Sequence, residues 1–177
     1  MAVSPDVTNL IQLFNRCFKQ SENTILVKGE DEPIYLPAND NQPHHQIIFA
    51  HGFFSSALHE VSHWCIAGKE RRKKIDFGYW YEPDGRTVEQ QQAFEIVEVK
   101  PQALEWIFSI AAGIKFNISA DNLGGAVSPT ADLFAQNVRS QALEYVEKGL
   151  PENARQFTEA LLNYYGTKSQ LVANAFK

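Results

Sequence analysis

Phe53-Phe54-Ser55-Ser56-Ala57-Leu58-His59-Glu60-Val61-Ser62-His63-Trp64-Cys65-Ile66-Ala67-Gly68 is the stretch around which the chain is organised. It reads as one helix. Phe54, Leu58, Val61 and Cys65 recur at steps of three and four, the spacing of a buried helical face. Gly68 stands where a C′ glycine stops a helix, and the Lys/Arg cluster after it suits the helix's negative end. Residues four apart lie nearly above one another on a helix, so His59 and His63 aim two imidazoles at one point, with Glu60 beside them. A histidine pair with that aim is a ready metal site. One histidine on such a face would be an ordinary core or surface residue; two at this spacing, with Glu directly after the first, are far more specific.

Upstream, Ser4-Pro5 resembles an N-cap followed by proline at the first helical position. The helix it predicts runs to about Lys19, with Val7, Leu10, Ile11, Phe14, Cys17 and Phe18 on one face. Thr24–Lys28 is a β-branched run that predicts a strand. A Pro-punctuated loop follows, with Ile34-Tyr35-Leu36 as a short extended piece at its centre. Gln46–Ala50 predicts a strand that feeds the metal helix through His51-Gly52. His51 is a candidate extra ligand, although such a residue is more often structural. His44 and His45 are expected to face water.

Downstream, Ile75-Asp76-Phe77-Gly78-Tyr79-Trp80-Tyr81 alternates loosely and predicts an aromatic strand, closed by a Glu82-Pro83-Asp84-Gly85 turn. Thr87 with Gln90 forms a capping box and opens a helix that Pro101 should end or kink. Helical character resumes from Gln102 to Ala112 and stops at Gly113. Two more helices are expected, from Ser128-Pro129 to about Lys148 and from Pro151 to about Tyr165. The fold class that results is α+β: a single helix-dominated domain with a small sheet and a zincin-like metal helix.

Two histidines leave a site incomplete. Catalytic zinc takes three protein ligands, and non-haem ferrous iron takes two His and one carboxylate. Both designs ask for a downstream acid. Glu95 and Glu98 are the candidates, in a polar stripe with Gln102 and Glu105. Phe94, Ile96, Val97, Val99 and Leu104 flank that stripe, so the helix should be largely buried and its charges should need partners. Glu98 is preferred for its nearness to Pro101, with Glu95 as the fallback.

Composition narrows the function classes. The chain has 177 residues, 44% hydrophobic and 21% charged, an ordinary globular balance. A net charge of −5 disfavours general nucleic-acid binding. Lys69-Glu70-Arg71-Arg72-Lys73-Lys74 is the local exception: a solvated loop, or a docking patch for an acidic partner directly after the metal helix. Asp6, Arg16 and Lys19 interrupt the first apolar segment, so no signal peptide is expected, and no run is long enough to span a bilayer. Cys17 and Cys65, the two cysteines, are expected to be buried free thiols in a reducing cytoplasm.

Taken together, several strings resemble the elongation factor P hydroxylase family. They are Phe49-Ala50-His51-Gly52-Phe53, His59 to Lys69, Asp76 to Tyr81, Pro83-Asp84-Gly85-Arg86, Phe94-Glu95 and Val97 to Leu104. Asp31 to Pro37 and Asn163-Tyr164-Tyr165 fit as well. The resemblance runs from about the first helix to Tyr165 and implies that residues 1–177 form one metal-dependent hydroxylase domain. It implies an iron-dependent, monooxygenase-type enzyme with O2 as co-substrate. The implied substrate is elongation factor P (EF-P) already carrying a lysyl-type modification on one lysine, which gains a hydroxyl. Carried over, His59, His63 and a glutamate, Glu98 before Glu95, would hold Fe(II), with zinc as a possible substitute in purified protein. Glu60 would be a catalytic supporting group or proton relay, not a ligand. EF-P of this type is acidic, so Lys69, Arg71, Arg72, Lys73 and Lys74 become a docking patch, and Tyr79, Trp80 and Tyr81 would either wall the channel for the substrate arm or form plain core. A monomer without nucleic acid or membrane partners is expected.

The motif read without that resemblance ranks a zinc metallopeptidase first, with Glu60 as the base that activates a zinc-bound water. The two readings share their ligands, so ligand type does not separate them. A purely structural metal is the third reading. Such sites are usually closed by four ligands and rich in cysteine, and Cys17 and Cys65 are not placed for that.

Overall fold

The computed structural model describes residues 4–76, 84–120, 122, 125 and 128–177. Its elements in order are α1 (Val7–Phe18), β1 (Thr24–Lys28), β2 (Ile34–Leu36), β3 (His45–Phe49), α2 (Phe54–Ile66), α3 (Val88–Ala112), α4 (Ala131–Lys148) and α5 (Glu152–Tyr165), with short 3₁₀ turns at Arg71–Lys73 and Ala173–Ala175. This is a helix-dominated α+β architecture with one small sheet. No helix among the described residues is long and apolar enough to cross a membrane.

The sheet has the order β1-β3-β2. β1 pairs parallel to β3, Thr24 opposite His45 through Lys28 opposite Phe49, and β2 pairs antiparallel to the other edge of β3. The central strand therefore delivers the chain to α2. The connection is a tight turn in which two successive residues, His51 (φ 53°) and Gly52 (φ 68°), take the left-handed conformation. Gly52 adopts it without penalty, whereas His51 does so at a cost of about 1–2 kcal/mol.

α1 lays Leu10, Leu13, Phe14 and Phe18 into the core. There Phe14 and Phe18 meet Trp64 of α2 edge-on, with ring centroids 5.4 and 4.9 Å apart, and Phe14 also meets Phe157 of α5 at 5.6 Å. α2 buries Ala57, Leu58, Val61, Ser62, Trp64 and Cys65. α3 is the spine of the molecule and packs against α2, α4 and α5.

Several expectations need correction. Asp6, not Ser4, caps α1, its carboxylate accepting from the Thr8 N–H at 3.0 Å, so Pro5 lies outside the helix. Pro101 does not end α3, which runs unbroken for 25 residues from a complete Thr87/Gln90 capping box to Gly113 at φ 72°. Beyond Pro101 the helix is buried on nearly every side, including Ala103, Leu104, Ile107, Phe108 and Ala111. That burial outweighs the lost backbone bond and ring clash, worth about 3 kcal/mol. Before Pro101 the helix is not enclosed as expected: Ile96 and Val97 are 76% and 51% exposed. His45 does not face water either. It opens β3, its ring stacks on Tyr35, and its Nδ1 accepts from the Ala38 N–H at 2.9 Å. Of the expected aromatic strand, Asp76 forms an isolated bridge to Tyr35, and residues 77–81, Tyr79 and Trp80 among them, lie outside the described residues.

Candidate metal centre

α2 and α3 meet where the histidine motif faces the polar stripe of α3. His59 and His63, one turn apart on α2, bring their Nε2 atoms to 3.1 Å of each other. Glu98 of α3 reaches both: Oε1 stands 3.1 Å from His63 Nε2, and Oε2 stands 3.6 Å from His59 Nε2. The three residues offer donor atoms that all lie within 4.8 Å of one another. Donors bound at about 2.1 Å to a common ion stand roughly 3–3.5 Å apart, and the observed separations match that closely. Two imidazoles and a carboxylate also suit a divalent first-row metal chemically. The residues fit such an ion.

Both protein elements hold these donors in place. Glu98 is 1% exposed and accepts from Gln102 Nε2 at 3.4 Å. Gln102 is itself clamped by the backbone of Ser119, donating to its carbonyl at 2.7 Å and accepting from its N–H at 3.1 Å. On the other ring nitrogen of His59, Nδ1 lies 2.8 Å from Glu105 Oε2. Burial drives the His59 pKa down, but the Glu105 hydrogen bond and the charges of Glu105, Glu98 and Glu60 overcome it and lift the value to about 10.

Glu95, the fallback ligand, is spent elsewhere. It is buried, accepts from the hydroxyls of Ser128 and Thr130 (2.6 Å for Thr130) and from Gln91 at 3.4 Å, and so anchors the start of α4. It is not among the three converging donors. His51 is not there either; it is exposed and its ring tilts against Phe53, with centroids 5.7 Å apart.

His63, Glu98 and Glu60 open on a cavity of about 410 Å³. Its walls include Tyr35, Ile47, Trp64, Ile66, Val97 and Pro101, a mostly apolar lining able to hold a long aliphatic group. Glu60 has no hydrogen bond or ion pair with the described residues. Burial pushes its carboxyl up, against the pull of His59 and His63.

The basic segment divides. Arg71 is ion-paired with Asp76. Arg72 lies over the Trp64 ring at 4.2 Å, donates to the Trp64 carbonyl at 2.7 Å and pairs with Glu22 at 3.3 Å. Both arginines line the cavity and are already engaged. Lys73 pairs with Glu70 at 2.6 Å on the surface. Lys69 and Lys74 are exposed, with no ion pair among the described residues. The two cysteines are free, as expected, Cys65 buried and Cys17 half-buried.

Sequence reasoning placed Glu105 in the polar stripe without a role. The signal was there: it follows Glu98 by seven residues, two helical turns on the same face. Nothing local pointed to Ser128 and Thr130 as partners of Glu95.

Comparison with known proteins points to one family. The family model for elongation factor P hydroxylase matches residues 13–176. The chain is 57% identical over 163 residues to the elongation factor P lysine hydroxylase of Haemophilus influenzae, an alignment that covers 92% of this chain and 91% of the relative.

Proposed function

The chain belongs to the elongation factor P hydroxylase family, and we propose that it hydroxylates a lysine of EF-P using Fe(II) held by His59, His63 and Glu98. The observation that carries the reading is the convergence of those three side chains at the wall of a cavity wide enough for a lysine arm. The reading includes O2 as co-substrate, a lysine already modified, a monomeric enzyme and a cytoplasmic setting. Zinc would compete for the same donors in purified protein.

A ferrous ion bound there would supply the activation of dioxygen that a C–H bond requires. The chain's own residues do the rest. Glu98 brings one negative charge that offsets a divalent cation, and its Gln102 clamp fixes where that charge sits. Trp64, Ile47, Ile66 and Pro101 keep water from the aliphatic part of the arm. Depth and shape of the cavity hold one carbon of the arm near the donors, and this positioning selects the CH2 that reacts. Glu60, unpaired and facing the same space, is placed to hold or pass a proton there. Lys69 and Lys74 offer charge at the surface to an acidic protein partner, whereas Arg71, Arg72 and Lys73 of the same segment are paired within the chain.

The test is anaerobic reconstitution with Fe(II), followed by O2, a reductant and modified EF-P, read by intact mass. A factor heavier by one oxygen atom, with the change mapped to the modified lysine, is the expected product. An unchanged factor would overturn the reading. Glu60 beside the histidine pair also favours a second reading, metal-assisted peptide hydrolysis, and a cleaved factor in the same experiment would establish it.

A further inference from the structure

His59 is gripped at both ring nitrogens by one helix. Glu98 and Glu105 lie seven residues apart on α3 and so share a face. Glu98 Oε2 approaches Nε2 at 3.6 Å, and Glu105 Oε2 approaches Nδ1 at 2.8 Å. An ionised carboxylate only accepts hydrogen bonds, so the proton in the shorter contact sits on Nδ1. That leaves the Nε2 lone pair as the one available to an ion, on the side where His63 Nε2 and Glu98 converge. The Glu105 carboxylate is 12% exposed, is not part of the cluster of His59, His63 and Glu98, and does not line the cavity.

We propose that Glu105 is the positioning residue of the metal centre, holding His59 in the Nδ1–H form and aiming Nε2 at the ion. It touches neither ion nor substrate. The two histidines are then unequal: His59 is locked by a carboxylate on its far nitrogen, whereas His63 has only its Nε2 contacts to His59 and Glu98 among the described residues. The inference rests on the reading that His59, His63 and Glu98 hold a metal, but needs neither EF-P nor turnover.

Zn(II) and Co(II) affinity of the full chain, measured by competition with a chromophoric chelator, tests it. Glu105→Ala should weaken binding by about 10- to 100-fold. Glu105→Gln, whose amide oxygen still accepts from Nδ1–H, should recover most of the loss. Ring-¹⁵N histidine spectra of the zinc-loaded wild type should show one histidine with a protonated Nδ1 and a metal-bound Nε2, its assignment to His59 fixed by loss of the signal in His59→Ala. A purely structural Glu105 would lower the melting temperature of both variants while leaving affinity within about twofold of wild type. That result would overturn the proposal, as would a glutamine variant no better than alanine or a spectrum with metal on Nδ1. Wild-type protein that binds metal with this Glu105 dependence yet never oxygenates EF-P would leave the inference standing and sink the functional reading instead.

Discussion

Two glutamates one turn apart on α3, just before Pro101, are both buried, and the two are met in different ways. Glu95, 5% exposed, faces the start of α4, where two hydroxyls and an amide donate to it. Glu98, 1% exposed, accepts from Gln102 of its own helix and faces two imidazoles of α2. A buried carboxylate needs compensation in either place. Glu95 gets it wholly from neutral donors of the protein. Glu98 lies against two histidines, with which a proton or a metal ion can be shared. The difference marks one as a structural acid and the other as a candidate ligand.

The largest effects come from exchanging those roles. Glu98→Ala should reduce stoichiometric metal binding and turnover to the assay background, while the circular dichroism of the fold stays intact. Glu95→Ala should do the opposite. It leaves Ser128 and Thr130 without their acceptor, a loss of about 1–3 kcal/mol. For a chain of this size that lowers the melting temperature by several degrees, at about 2–4 °C per kcal/mol. Metal content should remain at one per chain. An alanine at 95 that releases the metal, or one at 98 that keeps it, breaks the contrast.

A pH titration sharpens it. In the metal-free chain the His59 pKa is raised from 6.5 to about 10, with burial opposing the shift and Glu105, Glu98 and Glu60 producing it. A group whose pKa rises on folding stabilises the fold fully below its unfolded value and loses that contribution as pH climbs through the folded one. This share of metal-free stability is therefore present below about pH 6.5 and gone above about pH 10. Metal must displace the same proton from Nε2, so Zn(II) affinity should rise about tenfold per pH unit across that window. Calorimetry in buffers of different ionisation enthalpy should show about one proton released per ion. Glu95 is not among the converging donors, so Glu95→Gln should leave the slope unchanged.

What the sequence revealed follows the range of the interactions involved. β1, β2 and the Thr87/Gln90 box rest on neighbours a few residues apart, and they form where that local chemistry puts them. The His59/His63 pair is legible for the same reason. At the start of α1 the Asp6 carboxylate, not Ser4-Pro5, forms the cap, because it reaches the Thr8 N–H. Pro101 does not end the helix, since burial of the following turns overrides its cost. Glu95 and Glu98 could not be separated from sequence, because the partners that distinguish them lie on other elements, Ser128 and Thr130 for one and α2 for the other. The exposed Ile96 and Val97 show the same limit: apolar residues flank the stripe, yet the neighbouring helix leaves these two uncovered.

The basic segment repeats the contrast with the sign of charge reversed, and it carries the smallest effect. Arg71 and Arg72 sit among Lys69, Lys73 and Lys74, but the arginines are engaged by Asp76, Glu22 and Trp64. Lys69 and Lys74 are not, so they are the charges left to a partner. Exposed charge contacts are worth about 0.2–1 kcal/mol each. Replacing both lysines by alanine should therefore raise KM for EF-P by about three- to tenfold at low ionic strength, with kcat unchanged, and act mainly on the rate of encounter. At 1 M salt, where screening acts over about 3 Å, the variant and the wild type should converge. Arg72→Ala should behave like Glu95→Ala, because its guanidinium covers the Trp64 ring and caps the Trp64 carbonyl at the end of α2. It should lower the melting temperature at every salt concentration. If the lysine pair instead changes stability, or changes KM equally at low and high salt, the free cations are not a docking patch, and the partner must read the enzyme through the apolar rim of the cavity.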